Sequence, residues 1–133
     1  MSGFVDATDP RAVEEVLRAA LPGMGIGGLA ASLQSLPGVA VRSGRARGLL
    51  RAAEPTVIGE GDEQIALTPG ADAVRNHVVG GVILSREVLA PPAVPAVLAR
   101  LVVRAVLRHD SADAAAVLLT SIRDALAAGG GGR

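Results

Sequence analysis

His77 and His109, with Asp110 and Asp113 beside the second, are the side chains of this chain best suited to proton transfer or metal binding. A catalytic metal site needs three protein ligands brought together, usually announced by compact spacings. Here the two histidines stand in separate segments with no such spacing, so no metal and no cofactor is expected. His109 is instead placed to bind the carbonyls that close a helix. Ser85-Arg86-Glu87 together with His77 supplies the residue types of a hydrolase triad. No glycine-serine-glycine elbow surrounds Ser85, and a serine at that point reads as the cap of a short turn. No catalytic residue is assigned.

The arginines offer a second chemistry. Arg42, Arg45, Arg47 and Arg51 form the only local charge imbalance, with no acid between Val41 and Ala53. Guanidinium forks so spaced can grip phosphates or carboxylates in bidentate fashion, which makes these four the candidate anion contact. Aromatic stacking platforms are missing and the formal net charge is zero, so nucleic acid is not an expected partner. Gly23-Met24-Gly25-Ile26-Gly27-Gly28 matches the dinucleotide pattern G-x-G-x-x-G formally. A helix precedes it instead of a strand, and Arg42 to Arg47 occupies the distance at which an acid should meet the ribose. These glycines read as a loop that permits close helix packing.

What the chain omits narrows its chemistry further. Among 133 residues there is no Cys, Trp, Tyr or Lys, and Phe4 is the only aromatic. Most nucleophiles, soft metal ligands and ring surfaces are therefore missing, and only Asp, Glu, Ser, Arg and the two His remain to catalyse anything. A noncatalytic role is the expectation. All thirteen lysine-or-arginine positions are Arg, and Ala, Val, Gly and Pro abound, a bias that suits a GC-rich bacterial genome and accounts for part of the omission. The segment Met1–Asp6 lacks the basic and apolar regions of a secretion signal, which points to the cytoplasm. Ala19 to Val41 is uncharged and about as long as a bilayer is thick. Pro22, Pro37, Gln34 and five glycines interrupt it, so a membrane is not an expected partner.

The elements that must position these residues follow from periodicity. Asp9 caps and Pro10 opens a first helix whose Val13, Val16, Leu17, Ala20 and Leu21 share one face, with Glu14 and Arg18 paired on the other. Pro22-Gly23 stops it, and a second helix over about 27–36 completes a helical hairpin. From Val39 the period becomes two, predicting strands at about 39–43, 46–52, 56–59, 63–68 and 76–84. The clearest hairpin pairs Thr56-Val57-Ile58 with Glu63 to Thr68, with Ile65 and Leu67 on one face. A long helix over about 93–108 carries a narrow polar stripe of Arg100, Arg104 and Arg108, which places it mid-assembly. After a break at His109 to Asp113, capped by Asp110 or Ser111, a last helix runs to about Ala127. Residues 1–8 are expected to be a flexible start, 9–127 a single domain, and 128–133 a disordered glycine-rich tail. The fold class is α+β: an antiparallel sheet of about five strands, with two N-terminal and two C-terminal helices packed mainly on one face.

One strand stands out. Val78, Val79, Gly80, Gly81, Val82, Ile83 and Leu84 are apolar on both alternating faces, which asks for cover on both, and the paired glycines suggest a bulge or a close backbone approach. With the nearly all-round apolar helix that follows, this surplus makes 78–84 the candidate interface. The expectation is a small noncatalytic domain that acts by protein association, foremost as a homodimer or else with another protein. The alternative is a binding module for a small apolar or anionic ligand, held in an aliphatic pocket with Arg groups at its mouth.

Overall fold

The computed structural model describes residues 3–44 and 54–131. Its elements are α1 (Pro10–Leu33), β1 (Ala40–Arg42), β2 (Thr56–Glu60), β3 (Glu63–Leu67), β4 (Ala73–Val79), β5 (Val82–Leu89), α2 (Val94–His109) and α3 (Ala112–Gly131), with a short 3₁₀ turn at Pro91–Ala93. The sheet is an antiparallel meander in the order β1-β2-β3-β4-β5. The α+β class and a five-stranded antiparallel sheet are as expected, but among the described residues three helices stand where four were predicted, one N-terminal and two C-terminal.

The N-terminal difference has a local cause. Asp9 Oδ1 accepts from the Arg11 amide at 3.1 Å and Pro10 takes the first helical position, as the sequence requires. Pro22 then sits inside α1 without ending it, and the break falls at Gly25, whose φ of 76° and ψ of 168° are not helical. The apolar face resumes beyond it, with Leu29, Ala30 and Leu33 buried alongside Val13, Val16, Leu17 and Ala20. The glycine pattern 23–28 therefore lies within α1 and not in a loop. Its role in close packing holds at Gly23, where a β-carbon would lie 2.5 Å from Leu126 Cδ2 of α3.

Parts of both terminal segments belong to the fold. Val5 and Ala7 are buried in the core, and the Val5 amide donates to Thr120 Oγ1 of α3 at 2.8 Å. That bond ties the first segment to the last helix. Helix α3 continues to Gly131, into the stretch expected to be an unstructured tail.

The helices cover the sheet mainly at β1 and β2: α1 and α2 pack on each other, both meet β2, and α1 also meets β1. Leu17, Leu29 and Leu33 of α1, Ile58 and Ile65 of the sheet, Leu98 and Leu101 of α2, and Leu119 of α3 are fully buried in one aliphatic cluster. Burial of each such side chain is worth about 1.5–3 kcal/mol. Opposed residues carry this core only partway across the sheet: Ile58 opposes Ile65, Ile65 opposes Arg75, and Arg75 opposes Glu87. The row starts apolar beneath the helices and ends ionic beyond them. Strands β4 and β5 reach the core only at their base, through Ala73 and Leu89.

Candidate functional site

The segment 78–84 is the tip of a hairpin, not one strand. Gly80 and Gly81 adopt φ of 59° and 81°, the two left-handed positions of the turn that matches strand twist, so β4 ends at Val79 and β5 starts at Val82. The close approach expected at these glycines is not found, since nothing lies within 4 Å of where either β-carbon would be. Ser85 caps no helix turn. It lies in β5 opposite His77. The ladder shifts by one residue between His77 and Val78, which leaves Leu84 as the extra residue of a bulge on β5.

The cover expected on both faces of this segment is also missing. Val79, Val82, Ile83 and Leu84 are each about half exposed or more, and Val88 farther along β5 is 66 % exposed. Every residue of β5 except Leu89 is exposed. The last hydrogen bond from the body to the tip runs from the Val78 amide to the Asp62 carbonyl, at 2.6 Å. Past it the hairpin projects as a two-stranded ribbon, and β5 forms the outer edge of the sheet. Sequence reasoning missed Val88. Its open-face row is directly legible from the register: Val57 opposes Ala66, Ala66 opposes Val74, and Val74 opposes Val88.

A chain of ion pairs fixes where this ribbon sits. Glu87 of β5 faces Arg75 of β4 at 3.7 Å. Arg75 grips Glu63 of β3 with Nε and Nη2, at 3.1 and 3.2 Å. Glu63 also takes Arg104 of α2 at 2.8 Å, and Arg104 and Arg108 flank Glu60 of β2 at 3.8 and 2.8 Å. Three carboxylates and three guanidiniums thus alternate from the edge strand to the last turn of α2. Glu60 is buried, which makes its charge dependent on these two arginines. Burial works to raise the pKa of Glu63, but hydrogen bonds and charge from Arg75 and Arg104 outweigh it and hold the carboxyl below its ordinary value. Of these six residues only the Arg104–Arg108 stripe was visible beforehand, because the others meet through strand pairing.

The same face holds a polar cleft of about 270 Å³ lined by Glu63, Arg75, Asn76, His77, Ser85 and Glu87. Glu63 opposes His77, and His77 opposes Ser85, so an acid, an imidazole and a hydroxyl stand in one cross-strand row. A nucleophilic site would need hydrogen bonds from acid to imidazole and from imidazole to hydroxyl. The oxygens of Glu63 are engaged by Arg75 and Arg104, and His77 lies exposed on the row. His109 stands at the end of α2, where its ring lies against Gly38. Among the described residues no three His, Asp or Glu side chains converge as metal ligands would.

The remaining candidates divide. Arg42 ends β1 and is exposed, while Arg45, Arg47 and Arg51, with the strand expected at 46–52, lie outside the described residues. Asp110 closes α2 in a left-handed conformation, and Ser111 precedes α3 with its hydroxyl buried and unbonded. A cleft of about 640 Å³ opens beside the break in α1, lined mainly by aliphatic residues such as Leu21, Ile26, Leu67, Pro91 and Val94. Helix α1 is long and apolar enough to cross a membrane by length and composition, and a third of its most apolar stretch is buried within the fold.

No curated protein and no solved structure matches this chain. A family model does, over residues 5–128, from the first buried residue through nearly all of α3. The chain belongs to the family described as a domain of unknown function, DUF5073.

Proposed function

We propose that this chain is a noncatalytic, cytoplasmic domain that works by protein association, through strand addition at the free edge of β5. The observation that carries the reading is the combination on one strand of an unpaired backbone edge with Val82, Ile83, Leu84 and Val88, each more than half exposed. Soluble proteins blunt such edges with short strands, charge or proline, because an open apolar edge templates pairing with another chain. Strand β5 is eight residues long and has no proline; its bulge falls at Leu84 and its charges at Arg86 and Glu87, so the tip from Val78 to Ile83 keeps an uncharged edge. Main-chain hydrogen bonds then supply affinity, and the alternating side chains supply selectivity.

A photoreactive residue placed at Ile83 tests the reading, with one at Val117 of α3 as an equally exposed control. A heavier protein adduct is expected from position 83 and none from position 117. Equal or absent adducts at both positions would contradict association at this edge.

A second reading rests on the cleft beside the α1 break. Its volume falls within the roughly 300–1,000 Å³ of small-molecule sites, and its wall is largely aliphatic. An apolar guest would survive native mass spectrometry of the purified chain as a fixed mass increment. A bare polypeptide mass, together with no shift in melting temperature on adding a medium-chain alcohol, would remove this reading.

A further inference from the structure

We infer that the cleft beside the α1 break binds an amphiphile with an alkyl body and a cationic amine head, the amine set against Asp72. The inference rests on the second reading above and names the ligand class of that cleft. The break itself builds the site. Leu21 and Ile26 stand on either side of Gly25, and both line the cleft. Residues five apart on an unbroken helix point about 140° away from each other, so the interruption is what turns both toward one cavity. Gly25 supplies the positive φ of 76° that the interruption needs. The run Gly23-Met24-Gly25-Ile26-Gly27-Gly28 thereby acquires a use beyond close packing.

Shape and charge narrow the guest. Leu21, Ile26, Leu67, Pro91 and Val94 form an aliphatic wall without any ring, which suits an alkyl chain and offers a planar aromatic no stacking partner. Asp72 is the single charged residue of the lining. It lies exposed at the rim, on the turn between β3 and β4, and among the described residues no ion pair engages it. An anionic head would meet like charge there, whereas an ammonium gains an opposite charge. The alkyl body is then buried while the charged end stays in water, as amphipathic side chains do at protein surfaces. Thr68 of the same lining adds a hydroxyl that can accept from the ammonium.

Isothermal titration with octylamine, 1-octanol and octanoate, each kept below its micelle concentration, separates the cleft from the preference for a cationic head. Octylamine is expected to bind tightest, by roughly two- to fivefold over 1-octanol, as for an ion pair at a surface, and octanoate weakest. Asp72→Asn is expected to bring octylamine down to the level of 1-octanol. Lengthening the amine by one methylene should tighten binding by up to about fourfold. Ala71→Trp, at an exposed position of the lining, should close the cleft to all three. Equal affinities for octylamine and 1-octanol, or unchanged octylamine binding in Asp72→Asn, overturn the cationic head and leave the apolar cleft standing. No binding by any of the three, or undiminished binding in Ala71→Trp, overturns the cleft and the proposal with it. Unchanged melting temperatures of Asp72→Asn and Ala71→Trp, both at exposed positions, show that folding is not the variable.

Discussion

The Arg108 guanidinium reaches from the last turn of α2 to the buried carboxylate of Glu60 on β2, with Nη1 2.8 Å from Oε2. The relation is asymmetric. Glu60 has almost no exposed surface, whereas the Arg108 side chain is 55 % exposed. Water can therefore solvate the arginine if the pair is broken, but not the glutamate. The carboxylate needs the arginines more than they need it, and it anchors the ion-pair chain that ends at the edge strand.

Arg108→Ala leaves the Glu60 carboxylate buried with only Arg104 beside it, and is expected to cost about 1–3 kcal/mol of unfolding free energy, the range for a buried polar group left unsatisfied. Glu60→Gln removes the buried charge and leaves arginines that water can solvate, so it is expected to cost less, about 0–1 kcal/mol. Urea titrations of the two variants check the order. A loss in Glu60→Gln equal to or larger than that in Arg108→Ala would mean that the buried carboxylate does not depend on its arginines.

The pH dependence follows from Glu63, whose folded pKa lies below the ordinary value despite partial burial, because Arg75 and Arg104 favour the ionised form. A carboxyl depressed on folding adds stability above its unfolded pKa, and that stability is lost as pH falls through the folded value. The melting temperature should therefore decline on acidification below the ordinary glutamate range, and Glu63→Gln should flatten that decline. An unchanged acid limb in Glu63→Gln would show that other carboxyls govern it.

Gly38 meets two constraints at once. Its φ is 82°, and a β-carbon there would lie 2.2 Å from Cδ2 of His109. Gly38→Ala should destabilise the fold by more than about 1 kcal/mol, the backbone share alone where φ is positive. Adding His109→Ala should recover the steric share and leave the backbone share. A double variant no more stable than Gly38→Ala would show that the imidazole already yields.

The hairpin turn makes a sharper contrast. With both central residues at positive φ, Gly80→Asn leaves the favoured Asn-Gly pair and should change stability by less than about 0.5 kcal/mol. Gly81→Val forces a β-branched residue into the left-handed region and should unfold the tip. Amide exchange at Val79 and Val82 reads the difference, with fast exchange expected only in Gly81→Val.

Local signals in the sequence were read correctly where one element decides the outcome. Asp9-Pro10 starts α1, the Glu14–Arg18 pair forms, and Ile65 and Leu67 point inward as the alternation required. The hairpin signal was equally local but was overridden. A glycine pair between Val78-Val79 and Val82-Ile83 is what a tight turn looks like, yet the unbroken apolar run suggested one buried strand, and Ser85-Arg86-Glu87 hid the return strand behind the look of a cap. The charge chain could not be read locally at all. Glu87, Arg75, Glu63 and Glu60 become neighbours only when four strands pair in register, and Arg104 and Arg108 join them only when α2 lies on that sheet. At the Gly25 break the apolar face continues on both sides, so periodicity carried no mark of it beyond the glycine itself.

Amide exchange along Val82–Leu89, followed as the concentration of the purified chain is raised, tests association at the β5 edge most directly. Alternate amides of this strand bond to β4, and the others point outward from the sheet. If a second copy adds its strand, the outward amides become as protected as those facing β4 at high concentration and lose that protection on dilution or in I83K. Outward amides that exchange freely at every concentration would contradict it.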